Sequence, residues 1–346
     1  MQPIIVGLAG LALNDQEIAL FRSANPAGYI LFRRNIDTPD QVRALTASLR
    51  DLAGRDVPIL IDQEGGRVAR LRPPHWPEYP TGERFGHLYD VAPVTAIEAC
   101  RLNALALAAM LRELGINVDC LPLLDVRDPG AHDIIGDRSF GADPMLVSAL
   151  GRAVLDGFQR GGICGVIKHI PGHGRALADS HLELPVVAAS RAELERDFEP
   201  FRRLADAPMA MTAHISYTAI DAQRCATLSP IVIDLIRTDI GFAGLLMSDD
   251  LGMHALGNPQ SGGHPPGSNA LADMGARALA CLDAGCDVAL HCSGDFAEMR
   301  AIAEAAPAMT AAAASRLAAA MAWMGSGDGT PAAEWAAARD ALLALG

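Results

Sequence analysis

The sequence predicts an α/β fold, a (β/α)8 or TIM barrel formed by a single domain over residues 1–346. Eight short apolar runs recur along the chain, and patterns typical of helices lie between them. The runs are continuously apolar, as expected of parallel strands that are buried on both faces. Eight strands that alternate with helices favour a barrel. A doubly wound sheet is the alternative, but the Gly-x-Gly-x-x-Gly loop that follows its first strand is absent from this sequence.

The predicted strands are short and rich in apolar, β-branched or small residues. In chain order they are Ile4–Leu8, Tyr29–Phe32, Pro58–Ile61, Val118–Leu121, Val166–His169, Met209–Thr212, Leu245–Met247 and Val288–Leu290. We expect the barrel to occupy about residues 1–300 and further helices to occupy about residues 300–346.

Three of the intervening helices carry clear start signals. Thr38-Pro39-Asp40-Gln41 places a hydroxyl at the cap, a proline at the first helical position and a glutamine at the third. Ser190-Arg191-Ala192-Glu193 is a capping box, and Ser229-Pro230 opens another helix. These signals place helices between the predicted strands.

The charge of the chain argues against several classes of partner. The net charge is −13, from 28 basic and 41 acidic residues, and the sequence contains no block rich in Lys or Arg. We therefore expect neither nucleic acid nor an anionic membrane as a partner. Half of the residues are hydrophobic, which is enough for a large core.

Cysteine usage and the N-terminal residues indicate a reducing compartment. The chain has seven scattered cysteines and no Cys-x-x-Cys motif, which fits neither a disulfide framework nor a zinc ribbon. We expect these cysteines to be small buried hydrophobic residues. The first residues lack a basic region and read as a strand, so we expect no secretory signal and a cytoplasmic location.

One loop concentrates side chains that can carry chemistry. The stretch Lys168-His169-Ile170-Pro171-Gly172-His173-Gly174 is followed by Asp179-Ser180-His181, and the apolar run Gly165-Val166-Ile167 precedes it. The proline and the glycines exclude a helix or a regular strand after Ile170. A strand end that carries polar groups into a glycine-rich loop is typical of active sites in barrel enzymes.

Polar side chains also follow the other predicted strands, where a barrel gathers them at one pocket. The set comprises Asp62 and Arg70 after the third strand, Arg138 after the fourth, Lys168 and His169 at the fifth, His214 at the sixth and Asp249 at the seventh. Cationic donors around a few carboxylates suit a polyhydroxylated ligand. A single Asp at a strand end is more often a helix cap, but the convergence of five strand ends favours a sugar site.

Two further groups have the chemistry of a glycosidase. Asp249 emerges from the apolar Gly244-Leu245-Leu246-Met247, which suits a rigidly held carboxylate nucleophile. Asp179 can fix the tautomer of His181, so that the imidazole protonates a leaving oxygen and later activates water. The alternatives are a structural Asp249 and a solvent-exposed His181.

A metal centre is the competing interpretation of the loop. His169, His173, Asp179 and His181 are all competent ligands. Their spacing matches no His-Glu-x-x-His pattern, and Lys168 among them disfavours a dication. We therefore predict no metal.

Five blocks of this sequence, from about residue 4 to about residue 292, resemble glycoside hydrolase family 3. The blocks are Lys168–Gly174, Asp179-Ser180-His181, Ser248-Asp249-Asp250-Leu251, Ile61–Val68 and Gly136–Phe140. They match most closely the single-domain β-N-acetylglucosaminidases of Gram-negative bacteria. The family lineages with a second domain that supplies a glutamate acid fit less well, because this chain is too short for that domain.

The resemblance implies a retaining exo-enzyme that removes β-1,4-linked N-acetylglucosamine from 1,6-anhydro-N-acetylmuramyl peptides in cytosolic cell-wall recycling. It implies Asp249 as nucleophile and His181, oriented by Asp179, as acid and base. It also implies a substrate-binding set of Asp62, Arg70, Arg138, Lys168 and His169. No cofactor is implied, and we expect a monomer that binds only this small-molecule substrate. A β-glucosidase-like specificity on the same barrel remains the alternative.

The sequence departs from the family pattern after the nucleophile. The family commonly has Asp-Asp-Leu-Ser-Met there, whereas this chain has Asp250-Leu251-Gly252-Met253 and then an insert rich in glycine and proline over residues 257–267. We expect the insert to be a mobile surface loop that reshapes the aglycone side of the site.

Overall fold

The computed structural model describes residues 1–128, 130, 135–176, 184–256 and 273–345, and it confirms the predicted barrel. Eight strands close on themselves in the order β1-β8-β7-β6-β5-β4-β3-β2, and every neighbouring pair is parallel. The strands are β1 (Gln2–Val6), β2 (Pro26–Leu31), β3 (Ile59–Ile61), β4 (Val118–Asp119), β5 (Cys164–Ile170), β6 (Met209–Thr212), β7 (Leu245–Asp250) and β8 (Val288–His291). Each of the eight overlaps one predicted strand.

Helices surround the barrel. Those of the described residues are α1 (Asp15–Ala24), α2 (Pro39–Ala53), α3 (Gly82–Val91), α4 (Pro93–Glu113), α5 (Pro144–Gly161), α6 (Arg191–Arg203), α7 (Pro230–Thr238), α8 (Met274–Ala284), α9 (Phe296–Ala305), α10 (Ala311–Ala322) and α11 (Ala332–Leu343). Short 3-10 helices lie at Arg33–Asn35, Gly136–Arg138, Ala226–Leu228 and His254–Leu256. Two small sheets pair Gln63–Gly65 with Val68–Ala69 and Val186–Val187 with Ser216–Tyr217.

The three predicted helix starts are confirmed. The side chain of Thr38 accepts from the Gln41 N–H at the start of α2, and Pro39 is the first helical residue. Ser190 caps α6 in a reciprocal capping box. Ser229 caps α7. A side-chain oxygen at each position satisfies a backbone N–H that the helix leaves unpaired.

The barrel strands are buried on both faces. Ile5, Ile30, Leu60 and other alternate strand residues form a cluster inside the barrel. The intervening residues belong to a larger cluster between the barrel and the helices. Leu317 and Ala320 of α10 pack onto the inner cluster, and α10 thereby covers the N-terminal end of the barrel. The C-terminal end is left as the open face on which loops can build a site.

The cysteines and the most apolar helix belong to this core. All seven cysteines are buried and unpaired, as predicted. Helix α4 is long and apolar enough to cross a membrane by composition alone. Most of it is buried, however, against α3, α5 and α11, which is the environment of a core helix.

Candidate active site

A cavity of about 230 Å³ opens at the C-terminal ends of the barrel strands. Six of the predicted site residues line it, namely Asp62, Arg70, Arg138, Lys168, His169 and Asp249. They come from the ends of β3, β5 and β7 and from the loop after β4. The closed barrel therefore brings together side chains that are up to 187 positions apart in the sequence, from Asp62 to Asp249.

Five side chains at this cavity alternate in charge and form a continuous row, which we call the ion row: Arg70, Asp62, Lys168, Glu64 and Arg138. Arg70 Nη2 lies 3.0 Å from Asp62 Oδ2, and Lys168 Nζ lies 2.9 Å from Asp62 Oδ1. Lys168 Nζ also lies 2.6 Å from Glu64 Oε1. Glu64 in turn accepts two hydrogen bonds of 2.8 Å from Arg138, one from Nε and one from Nη2.

The ion row keeps its members charged. Burial alone would raise the pKa of Glu64, but the charges of Arg138 and Lys168 outweigh it and lower the pKa to about 2. Burial is likewise outweighed at Asp62, where Lys168 and Arg70 hold the pKa well below its usual range. The two carboxylates raise the pKa of Lys168 against the opposing effect of burial. At neutral pH the row therefore offers fixed anions and cations to the hydroxyl groups of a ligand.

A short hairpin after β3 positions the first half of the row. Its strands are Gln63–Gly65 and Val68–Ala69. Gln63 is buried, and its side-chain oxygen accepts from the backbone N–H groups of Arg70 and Leu71 at 2.9 Å. The Gln63 N–H donates to Asp119 Oδ1 at 3.0 Å. The hairpin is thus fixed to the barrel, and Arg70 is returned to the side of Asp62.

His169 is oriented by a carboxylate beneath it. Its Nδ1 lies 2.8 Å from Asp125 Oδ2, and Asp125 is fully buried. The other oxygen of Asp125 accepts the backbone N–H groups of His169 and His173 at 3.2 and 2.7 Å. Burial would raise the pKa of Asp125, but the two histidines and these bonds lower it to about 2. An ionised Asp125 accepts a hydrogen bond from the Nδ1–H group and leaves Nε2 of His169 for a ligand.

Glycine is required where the loop after β5 leaves the barrel. Gly172 has φ +139°, a conformation that side-chain-bearing residues rarely adopt. A Cβ atom at Gly174 would lie 1.8 Å from the carbonyl oxygen of Val126. The Tyr217 hydroxyl donates to the Gly172 carbonyl oxygen at 2.6 Å. These contacts hold the first part of the loop against the neighbouring loop after β4.

Asp249 lies at the end of β7, on the cavity wall. Its Oδ1 accepts the Asp250 N–H at 2.8 Å, and its own N–H donates to Thr212 Oγ1 at 3.3 Å. Burial opposes ionisation of Asp249, but the nearby His214 and His169, the Asp250 N–H and Lys168 lower its pKa. Asp249 is therefore an anion at neutral pH, as a carboxylate nucleophile must be.

Asp179 and His181 lie outside the described residues, as does the predicted surface loop at residues 257–267. The other members of the alternative metal-ligand set, His169 and His173, have Asp125 as their shared partner. Within the described ranges, no group of three His, Cys, Asp or Glu side chains could hold a metal ion.

Sequence reasoning does not assign a site role to Glu64 or Asp125. The sequence position of each of these two residues nevertheless indicates a place at the site. Asp125 follows the apolar Leu123-Leu124, just as Asp62 follows the apolar residues of β3. Glu64 lies two positions after Asp62 and therefore on the same side of an extended segment.

Comparison with known proteins agrees with this geometry. Residues 5–322 match the sequence model of the Glycosyl hydrolase family 3 N terminal domain. A β-hexosaminidase of Bordetella avium is 36% identical over 294 residues, which is 84% of this chain and 80% of the relative.

Two solved structures share the whole fold. NagZ from Neisseria gonorrhoeae, in complex with N-trifluoroacetyl-D-glucosamine, superposes with a TM-score of 0.84 at 29% identity and covers 99% of this chain and 98% of its own. A glycoside hydrolase family 3 β-N-acetylglucosaminidase from Paenibacillus sp. gives a TM-score of 0.77 at 29% identity, over 99% of this chain and 61% of its own.

Proposed function

The chain belongs to glycoside hydrolase family 3 and is a β-N-acetylhexosaminidase, and we propose that it acts in cell-wall recycling. Its substrate would be an N-acetylglucosaminyl-1,6-anhydro-N-acetylmuramyl peptide, from which it removes the terminal β-1,4-linked N-acetylglucosamine. The similarity to NagZ, solved with an N-acylated glucosamine, supports this sugar specificity.

The observation that carries the proposal is the position of Asp249. Its carboxylate stands at the end of a buried strand, on the wall of a cavity that also holds the ion row. Its lowered pKa keeps it anionic. A sugar held by the row would lie next to a rigid, ionised carboxylate, which is the arrangement that attack on an anomeric carbon requires.

The proposed reaction has two steps and retains the configuration of the sugar. In the first step, an oxygen of Asp249 bonds to the anomeric carbon while the bond from that carbon to the muramyl oxygen breaks. His181, oriented by Asp179, gives its proton to the departing oxygen. In the second step, His181 takes a proton from water, whose oxygen bonds to the anomeric carbon and releases Asp249.

A histidine suits this double role near neutral pH. Its ordinary pKa lies near neutrality, so it can give a proton in one step and accept one in the next. As a neutral base it also avoids placing a second anion beside Asp249. These roles of Asp179 and His181 rest on the family resemblance.

The remaining predicted residues would hold the sugar. We propose that Asp62 accepts from ring hydroxyl groups, while Arg70, Arg138 and Lys168 donate to ring oxygens and hydroxyl groups and Nε2 of His169 accepts from a hydroxyl group. Neither a metal nor an organic cofactor is needed for these contacts or for the two steps. We also propose that the enzyme acts as a monomer in the cytoplasm.

Hydrolysis of chromogenic substrates tests the sugar specificity. We expect 4-nitrophenyl N-acetyl-β-glucosaminide to be cleaved and the matching β-glucoside to be cleaved far more slowly. A chelator should leave the rate unchanged. Preferential cleavage of the glucoside would favour the β-glucosidase alternative, and loss of activity with chelator would favour a metal-dependent hydrolase.

Trapping the intermediate tests the nucleophile. A 5-fluoro derivative of an N-acetylglucosaminyl fluoride slows both steps, and it should add one sugar residue to the protein. Peptide mass spectrometry should place that sugar on Asp249. A label on any other carboxylate would contradict the assignment.

The muropeptide substrate needs its own measurement. We expect release of N-acetylglucosamine from N-acetylglucosaminyl-1,6-anhydro-N-acetylmuramyl peptides with a higher kcat/KM than from chitobiose. Mass spectrometry of the products checks both reactions. A clear preference for chitobiose would contradict the role in cell-wall recycling.

A further inference from the structure

We infer that Glu64 is a positioning residue for sugar recognition, which acts through Lys168 and Arg138 and aims their remaining donors at the sugar. The inference rests on the proposed function of this cavity, because it takes the ion row as the element that binds the sugar.

Both carboxylate oxygens of Glu64 are occupied by partners within the protein. Its Oε1 faces both Lys168 Nζ at 2.6 Å and Arg138 Nη2 at 2.8 Å, and its Oε2 accepts from Arg138 Nε at 2.8 Å. The Glu64 side chain is only 4% exposed. Asp62 has one cation at each oxygen and a side chain that is 14% exposed. Asp62 therefore keeps capacity for a sugar hydroxyl, whereas Glu64 serves its two cations.

Glu64 and Asp62 together fix the position of the Lys168 ammonium group. An ammonium group has three N–H donors in a tetrahedral arrangement. Asp62 Oδ1 accepts from Nζ at 2.9 Å, and Glu64 Oε1 forms an ion pair with the same nitrogen at 2.6 Å. The two carboxylates hold Nζ from two sides, which limits the directions in which its remaining donors can point. Since the Lys168 side chain is 2% exposed, it has little freedom to find other partners.

Glu64 also fixes the plane of the Arg138 guanidinium. The two parallel bonds to Nε and Nη2 form a bidentate pair, which sets the orientation of a guanidinium as well as its distance. Arg138 lines the cavity, and the N–H groups that this pair does not use remain for a ligand. The Arg138 side chain is only 12% exposed, so the carboxylate of Glu64 is the main group that balances the positive charge of its guanidinium.

Glutamine cannot replace these contacts. Its amide has one acceptor oxygen and one donor nitrogen, so one of its ends would meet a cationic donor with a donor of its own. The loss of the negative charge would also leave Lys168 and Arg138 next to each other without the carboxylate that separates them. We therefore expect Glu64→Gln to misdirect both Lys168 and Arg138 while leaving Asp249 in place.

Steady-state kinetics and ligand binding test the inference. We expect Glu64→Gln to raise the KM for 4-nitrophenyl N-acetyl-β-glucosaminide and the dissociation constant for N-acetylglucosamine roughly 30-fold. The kcat should stay within about threefold of the wild type, since ground-state binding is what the variant loses. Glu83→Gln, which removes a carboxylate paired with Arg127 away from the cavity, is the matched control and should behave as wild type.

A double-mutant cycle tests whether Glu64 acts through Arg138. We expect the rise in KM of the Glu64→Gln/Arg138→Met variant to be smaller than the product of the two single rises, because the second change removes contacts that the first has already lost. A multiplicative rise would overturn the inference. Wild-type KM and binding in a folded Glu64→Gln variant would overturn it as well.

Glu64→Asp keeps the test decisive if the glutamine variant does not fold. Aspartate keeps the charge but withdraws the carboxylate by one methylene, so we expect weaker binding with kcat retained. Wild-type binding by Glu64→Asp would overturn the inference. Failure of wild-type enzyme to cleave the substrate would contradict the proposed function instead, and calorimetry with N-acetylglucosamine would still measure the effect of Glu64.

Discussion

The Nε2 atom of His214 lies 2.9 Å from the carbonyl oxygen of Asp250, the residue that follows the proposed nucleophile. A carbonyl oxygen only accepts hydrogen bonds, so this nitrogen carries the proton. Burial lowers the pKa of His214 and keeps the ring neutral, so Nδ1 accepts from the Thr227 hydroxyl at 2.7 Å. Thr227 also contacts Thr212, which accepts the Asp249 N–H. His214 thus belongs to a chain of hydrogen bonds that links the Asp250 carbonyl oxygen to the Asp249 N–H and supports the end of β7.

We expect His214→Phe to weaken this support. The change removes two buried hydrogen bonds of His214, but Thr227 keeps the Ala213 carbonyl oxygen and Asp250 keeps the Met253 N–H as partners. We expect the free energy of unfolding to fall by about 1–3 kcal/mol. Displacement of Asp249 should lower kcat roughly tenfold or more. Urea denaturation and hydrolysis of 4-nitrophenyl N-acetyl-β-glucosaminide measure the two effects. Thr227→Ser keeps the hydroxyl and should be close to wild type, whereas unchanged kcat in folded His214→Phe would contradict the prediction.

The barrel could be predicted because each strand is a separate apolar run. The residues at which the strands end were harder to predict from the sequence. Leu245–Met247 extends in the structure to Asp250, because polar residues at the C-terminal end of a barrel strand continue the backbone ladder while lining the site. Val118–Leu121 ends early at Asp119, because the Leu121 N–H bonds to the Asp119 carbonyl oxygen and interrupts the ladder. Pairing with β5 resumes at Leu123, which bridges to Lys168.

The site was predictable only in part, for a related reason. In a barrel, the topology alone places every side chain at a C-terminal strand end on the same face, so Asp62, Lys168 and Asp249 could be grouped from the sequence. The topology does not show which of these side chains form ion pairs with each other. Glu64 meets Arg138 across 74 positions of sequence, and that pairing depends on how the hairpin after β3 and the loop after β4 meet. Local spacing carries no such information.

The proposed acid and nucleophile should differ in their dependence on the leaving group. We expect Asp249→Ala to abolish turnover of all substrates, because no glycosyl-enzyme can form. His181→Ala should lose roughly 10²–10⁴-fold on a sugar leaving group but much less on 4-nitrophenolate, which departs without a proton. Comparison of kcat/KM for chitobiose and the nitrophenyl glycoside measures this difference. Equal losses on both substrates would show that His181 is not the general acid.

Asp125 should matter through His169. In Asp125→Asn, an amide replaces the ionised acceptor that faces Nδ1 of His169 at 2.8 Å. The imidazole loses its fixed tautomer, and we expect kcat/KM to fall roughly 10–100-fold. Asp206→Asn, at a surface carboxylate paired with Arg152, is the control for loss of charge and should have wild-type kinetics. A wild-type kcat/KM in folded Asp125→Asn would show that His169 needs no such partner.

His173 makes the stability of the fold depend on pH. Burial and the neighbouring His169 lower the pKa of this buried histidine from 6.5 to about 4. Above pH 6.5 the ring is neutral in both the folded and the unfolded chain, and its contribution to stability is constant. Between pH 6.5 and 4 only the unfolded chain binds the proton, so the free energy of unfolding falls by up to about 3 kcal/mol. Below pH 4 both states are protonated and this loss is complete.

Urea denaturation at steps between pH 7 and pH 4 measures this loss, and His173→Asn separates it from other groups. We expect the variant to be less stable at pH 7 but to lose less stability on acidification than the wild type, because asparagine binds no proton. His75→Gln removes an exposed histidine and should keep the wild-type slope. The carboxylates of Glu64 and Asp125, with pKa values of about 2, act mainly at lower pH. Burial raises the pKa of Asp119 and Asp197, which opposes the loss of stability on acidification, and the comparison with His173→Asn cancels these groups. An unchanged slope in His173→Asn would contradict the assignment to His173.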